Sequence, residues 1–300
     1  MLQVFSKDHK SHPDYGKMRR KAISITWPAF IELVMTSLFG MVDMIMVGQL
    51  SPAAIASVGL TNQPFFLLLA VFAAVNVGTS TLVAWNIGAK KPDEACNVTR
   101  QVLILNTLLG IFVTVIGIYF APNIVTFMGA NSDTFRDATL YFKIVAAGLA
   151  FQAVNMGVTA ALRGAGQTKL PMLYNAGSNL LNVFGNYVLI FGKFGFPEWG
   201  VAGAAVSTTA ARLIACLAGL YLIFFTKQSS ISLSIKGDYR INTGIVRQIF
   251  SIGIPAALEQ FVLQSGLMVF ARTVSSLGTS GFAAHQIGIN ISTLTFSPSQ

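Results

Sequence analysis

Long apolar stretches separated by short polar ones run through almost the whole of this 300-residue chain. The apolar runs fall at roughly 23–46, 54–86, 101–121, 138–161, 171–191, 200–226 and 248–271, and from 281 to the end. An α-helix needs about 20 mostly apolar residues to cross a hydrocarbon layer. The pattern therefore predicts an all-α polytopic membrane protein with seven spans and part of an eighth. No segment alternates polar and apolar residues over the about ten positions of a barrel strand, so a membrane β-barrel is not expected.

The runs are not independent of one another. Residues 24–60, shifted by 227 positions, align without a gap on residues 251–287. Identical pairs include Ser24/Ser251, Pro28/Pro255, Glu32/Glu259, Met41/Met268, Val47/Val274 and Leu50/Leu277. A duplicated membrane segment is the usual sequence trace of a secondary transporter built from two related lobes. The copies differ in one telling place, because Asp43 is answered by Phe270.

Composition agrees with the pattern: 53% of residues are hydrophobic, 10% are charged and the mean hydropathy is +0.64. The net charge of +9 would suit a nucleic-acid binder, but its distribution points elsewhere. Lys7, Lys10, Lys17, Arg19, Arg20 and Lys21 precede span one, and Lys90, Lys91 and Arg100 follow span two. Arg163 and Lys169 follow span four, and Lys227, Lys236, Arg240 and Arg247 follow span six. The alternate loops hold Arg136, Lys193 and Arg272 alone. Positive charge on every second loop places those loops and the N-terminus in the cytoplasm, and it makes the repeat parallel. No signal peptide is expected before span one. Cys96 and Cys216 have no ligand or disulfide spacing.

The organisation expected is a cytoplasmic segment (1–22), a six-helix lobe (23–226), a cytoplasmic linker (227–247) and the start of a second lobe (248–300). Pro28 and Pro255 lie near the starts of spans one and seven. Each removes a backbone hydrogen bond and is expected to kink its helix.

Ionisable groups inside a membrane are expensive and each asks for a reason. Lys143 lies near the outer end of span four and is placed to snorkel. Glu32 and Asp43 are eleven residues apart, hence on one helix face and about 16 Å apart along the axis. Glu32 and its repeat Glu259 read either as neutral carboxyls hydrogen-bonded beside the kinks, replaceable by glutamine, or as cavity and gating groups. Span five brings Asn179, Asn182 and Asn186, and span six brings Ser207, Thr208 and Thr209, to a depth similar to that of Asp43. These residues either make ordinary interhelical hydrogen bonds or form with Asp43 an oxygen-rich pocket for a proton or a monovalent cation. The carboxylate favours the pocket. Arg212, in the middle of span six, must face the bundle or a wet cavity, with Glu32 or Glu259 as its expected partner. Gly164–Lys169 lacks the ending of a phosphate loop and reads as a cytoplasmic hinge. His285 has no metal-spaced neighbour and reads as polar packing.

Several stretches together resemble the multidrug and toxic compound extrusion (MATE) family of bacterial efflux transporters. They are Pro28–Leu50 with Val42-Asp43-Met44, Ala161–Pro171 with Arg163-Gly164-Ala165-Gly166-Gln167, Asn182–Gly192, Gly200–Thr208 and Ala283-Ala284-His285-Gln286. The resemblance implies two parallel six-helix lobes around a central cavity. It implies a multi-pass protein of the plasma (inner) membrane, monomeric at full length, that exports small organic cations in exchange for H⁺ or Na⁺. It also implies a coupling-ion site at Asp43, Asn182, Asn186 and Thr208, with Asn186 replacing an aspartate found in some relatives. On this reading the chain ends within the eighth helix of twelve, leaving the first lobe complete and the second partial. Neither enzymatic chemistry, a cofactor nor a nucleic-acid partner is expected, since no paired catalytic groups share one depth. A lipid or lipid-linked saccharide flippase is the alternative, and it would line its cavity with more basic residues than Arg212.

Overall fold

A computed structural model describes residues 15–226, 231, 233 and 240–296. The N-terminal residues 1–14, with Lys7 and Lys10, and most of the expected linker lie outside the described residues. The helices in chain order are α1 (Tyr15–Gly48), α2 (Pro52–Gly88), α3 (Pro92–Phe127), α4 (Phe135–Ala147), α5 (Leu149–Gly164), α6 (Lys169–Phe191), α7 (Gly200–Phe225), α8 (Thr243–Ser275) and α9 (Thr279–Phe296). No strand occurs among the described residues, so the fold is all-α as the sequence predicts.

Local chemistry sets the helix ends. Ser51 caps α2 by accepting from the Ala54 N–H at 3.0 Å, with Pro52 at the first helical position. Asn242 caps α8 by accepting from the N–H groups of Gly244 and Ile245. Asp93 and Glu94 occupy the first turn of α3, where the helix dipole favours negative charge. This helix begins at Pro92 rather than near residue 101, so it extends well beyond its apolar run.

Five single helices are long and apolar enough to cross a membrane: α1 from Ala22, α2, α3, α7 and α8. The predicted span four is in fact two helices, α4 and α5, bent by 46° at Gly148 and together making a sixth. A bend inside a membrane strands backbone groups that must find partners, and side chains supply them. The Thr209 hydroxyl donates to the Ile144 carbonyl at 2.9 Å, and Arg212 Nη1 donates to the Val145 carbonyl at 3.3 Å. The Thr114 hydroxyl accepts from the Ala150 N–H at 3.2 Å. The predicted span five, α6, is not among those five, and Asn175, Ser178, Asn179, Asn182 and Asn186 all lie on it.

Lipid tails are as apolar as leucine, so close packing rather than hydrophobic burial holds membrane helices together. Small residues accordingly mark the tightest crossings. At Gly253 of α8 an added Cβ would lie 1.8 Å from the Ala74 carbonyl oxygen, and at Gly78 of α2 it would lie 2.2 Å from the Ile249 oxygen. These reciprocal contacts join the first helix of the second repeat to the second helix of the first. On the opposite side of the membrane, the Ser275 hydroxyl donates to the Met128 carbonyl at 2.7 Å, and Thr279 binds the Asp133 carboxylate at 3.1 Å. α1 meanwhile packs on α6 and α9.

Candidate functional site

A cavity of about 700 Å³ runs between α1, α2, α5, α6 and α7. Glu32 and Asp43 line it from one face of α1, as their eleven-residue spacing requires. Asn182 and Thr208 line its walls together with Arg163, Asn175 and Arg212.

Near the outer end, Asp43 is held by amides. Asn186 Nδ2 donates to Asp43 Oδ1 at 2.7 Å. With its amide nitrogen turned towards the carboxylate, Asn182 donates to Oδ1 at 3.0 Å and to Oδ2 at 2.9 Å. In that orientation Asn182 Oδ1 accepts from the Thr208 N–H at 3.1 Å and from the Ser207 hydroxyl at 3.3 Å. Sequence periodicity explains why these groups meet. Asn182 and Asn186 are four apart on α6, and α7 lies close against α6, where Gly185 leaves room for Ser207 and Gly203 for the Leu189 carbonyl. The four residues predicted as a coupling-ion site thus converge. Asn182 and Asn186 hold amides against the single carboxylate, Thr208 braces Asn182, and the buried Asn186 Oδ1 carries no hydrogen bond. The set offers oxygen ligands and one negative charge, which suits a proton or a monovalent cation. Among the described residues, no three His, Cys, Asp or Glu side chains gather as for a metal ion.

Near the inner end the structure corrects the sequence reading. Glu32 does not pair with Arg212. Its Oε2 meets Arg163 Nη2 at 2.8 Å, and its Oε1 accepts from Asn175 Nδ2 at 2.8 Å. Asn175 Oδ1 in turn accepts from Asn155 Nδ2 at 3.1 Å. The reason is geometric: Arg163, in the last turn of α5, lines the cavity beside Glu32, whereas Arg212 hydrogen-bonds at the bend near Gly148. The guanidinium of Arg212 lies 4.4 Å from the centre of the Phe65 ring, a cation–π contact, and has no carboxylate partner among the described residues. Glu259 lies on α8, outside the lining of this first-lobe cavity. The partners of Glu32, Arg163 and Asn175, belong to α5 and α6, outside the duplicated stretch of 24–60.

Arg163, Asn175 and Asn155 were not among the predicted site residues. Asn175 had a signal, since 175, 179, 182 and 186 follow a 4-3-4 spacing along one face of α6. Arg163 was masked by its place beside a glycine-rich turn, where a basic residue reads as a cytoplasmic loop charge. His285 packs against the rings of Phe270 and Phe282, in keeping with the packing role expected of it.

Comparison with known proteins gives a consistent result. The MatE family model matches residues 28–188. The chain is 32% identical over 292 residues to the probable multidrug resistance protein NorM of Thermotoga maritima, covering 97% of this chain and 62% of that protein. It is 31% identical over 269 residues to the uncharacterized transporter YisQ of Bacillus subtilis, covering 89% of this chain and 58% of that protein. The chain therefore spans about three fifths of the length of these relatives. Among solved structures, it resembles a MOP superfamily transporter from Pyrococcus furiosus with TM-score 0.81 and 26% identity, over 93% of this chain and 61% of that one. An outward-facing multidrug resistance MATE family transporter is similar at TM-score 0.80 and 25% identity, again over 93% of this chain and 61% of that one.

Proposed function

The chain belongs to the MATE family, and from that premise we propose that the full-length protein is an antiporter exporting cationic amphipathic compounds in exchange for H⁺ or Na⁺. The observation that carries this reading is Asp43, a carboxylate at the outer end of a membrane cavity whose hydrogen bonds come from neutral amides. A carboxylate with neutral hydrogen-bond donors can take up a proton or a monovalent cation and release it again, whereas a carboxylate in direct contact with a cationic side chain is already satisfied. Occupancy of this pocket and occupancy of the adjoining cavity by an organic cation then compete for the same negative charge. Exchange follows when the two lobes rock against each other and expose the cavity to either side in turn. The charge pattern of the loops supports an N-terminus in the cytoplasm, with the protein in the plasma membrane.

The test is Asp43→Asn in the full-length protein, with export of ethidium measured from loaded, energised cells. The substitution keeps the size and the hydrogen-bonding capacity of the side chain but removes the charge. Expression is expected to persist and energised export to be abolished. Export at the wild-type rate from a well-expressed variant would overturn the assignment.

A further inference from the structure

Behind the export cavity, α3, α5 and α7 border a second hollow of about 610 Å³, and the two share no lining residue. α5 and α7 form the wall between them, with Asn155 and Arg212 on the cavity side and Val154 and Leu213 on the other. The groove is apolar apart from the Cys216 thiol and Thr107, whose hydroxyl already donates to the Leu103 carbonyl at 2.7 Å. A polar ligand would therefore find no partner in it. Leu108, Ile111 and Leu217 are each more than half exposed, whereas Leu103 and Cys216 are buried. Neither α8 nor α9 borders the groove. One charged group stands at its end. Arg100, Ile104, Thr107 and Ile111 follow a 4-3-4 spacing, so Arg100 continues the groove face of α3 by one turn. That turn adjoins the basic loop of Lys90 and Lys91, just before the apolar run that starts at residue 101. Arg100 Nη1 donates to Asn97 Oδ1 at 2.9 Å, but its Nε has no hydrogen-bond partner. The neighbouring Gln101 holds the Arg240 carbonyl at 2.7 Å, which brings a second basic residue to the same end.

From this arrangement we propose that the groove holds an acyl chain of an anionic phospholipid from the leaflet on the basic-loop side, with Arg100 taking its phosphate. A guanidinium has five N–H donors in a planar fork that matches a phosphate, and the protein leaves part of that fork unused. From Arg100 to Ile111 the helix rises about 16 Å, close to half of a hydrocarbon core about 30 Å thick. A chain hung from a phosphate at Arg100 thus reaches the level of Ile111, where the groove ends. The cytoplasmic leaflet is the one rich in anionic lipids, and basic pockets between helices at that level bind their headgroups. A zwitterionic lipid would bring its own cation towards Arg100 and Arg240, which opposes binding. The bound chain lies against Val154 and Leu213 and so braces, from behind, the wall that carries Asn155 and Arg212.

The experiment titrates the detergent-purified full-length protein with dioleoylphosphatidylglycerol or dioleoylphosphatidylcholine, which share their chains and differ in headgroup charge. Native mass spectrometry counts the lipids retained at each concentration. Wild-type protein is expected to hold its first phosphatidylglycerol about tenfold more tightly than phosphatidylcholine, the size of a hydrogen bond to a charged group. Arg100→Gln is expected to abolish that preference, and Arg100→Lys, which keeps the charge but not the fork, to retain part of it. Leu217→Trp, which fills the groove from an exposed position, is expected to weaken the first phosphatidylglycerol while leaving Arg100 untouched. Equal affinity of the wild type for the two lipids would overturn the inference, as would an unchanged preference in Arg100→Gln. An unchanged first site in Leu217→Trp would overturn it too, and a lowered melting temperature alongside would assign the groove to another segment of the full-length chain.

Discussion

Replacing Glu32 with glutamine separates the roles of charge and hydrogen bonding at the inner end of the cavity. As a kink-side carboxyl, Glu32 would tolerate the change, because an amide also accepts and donates. The structure argues for a cost. Glutamine can still accept from Asn175, so the 2.8 Å hydrogen bond survives, but the contact with Arg163 at 2.8 Å loses its opposite charge. Breaking a fully buried pair costs about 3–5 kcal/mol, and an exposed pair is worth about 0–1 kcal/mol. Here the Glu32 side chain is 9% exposed and that of Arg163 is 38%. Water therefore reaches the cation that would be orphaned, and the expected loss for Glu32→Gln is about 2 kcal/mol. Arg163→Gln strands the more deeply buried partner and should cost more, about 3 kcal/mol. The double variant leaves two neutral amides side by side and should fall short of the sum by at least about 1 kcal/mol. Thermal unfolding of the detergent-solubilised protein, followed by a thiol-reactive dye, reads all three. Strictly additive effects, or a Glu32→Gln protein that melts like the wild type, would refute an energetically coupled pair.

Other predictions follow from individual contacts. Gly253→Ala places a Cβ 1.8 Å from the Ala74 carbonyl oxygen, so α2 and α8 must part by roughly 1.5 Å to reach an ordinary contact. Overpacking of this kind costs about 1–3 kcal/mol, and an unchanged melting temperature would contradict the backbone-to-backbone crossing. Asn186→Asp puts a second carboxylate where the amide now lies 2.7 Å from Asp43, so a proton or a cation must sit between the two. The variant is expected to be stabilised by NaCl more than by choline chloride, and identical melting in the two salts would argue against a cation pocket. Gln101 binds the Arg240 carbonyl at 2.7 Å and the Asn242 N–H at 2.9 Å, fastening the chain just before α8. Gln101→Ala should speed tryptic cleavage after Arg240, and an unaltered digestion rate would show that the fastening is dispensable.

The features legible in the sequence are those with a period or a depth. Apolar length located the helices, and the 227-residue shift located the second repeat. Helical spacing put Asp43 on the face of Glu32 and Asn182 above Asn186, which is why the outer pocket could be anticipated as a group. The bend at Gly148 had no such mark. No proline accompanies it, and the side chains that satisfy its stranded backbone, Thr114, Thr209 and Arg212, come from α3 and α7. Only the packing of helices brings those groups together.

The misreading of the Arg212 partner has a physical cause. A repeat transmits backbone geometry, because proline and small residues act through their own chain, but a buried charge is defined by what faces it. The contacts of Glu32 come from Arg163 and Asn175, 131 and 143 residues away, and neither position lies within the duplicated stretch of 24–60. The identity of Glu259 with Glu32 therefore carried no information about its partner. Depth alone likewise made Arg212 a natural mate for a carboxylate, yet its partners are the Val145 carbonyl at the bend and an aromatic face. That outcome leaves the cavity with one carboxylate and one guanidinium outside any ion pair. Depth predicts that a membrane arginine needs a partner, but only the packing of α4 and α2 against α7 decides that the partners are a backbone carbonyl and a ring face rather than a carboxylate.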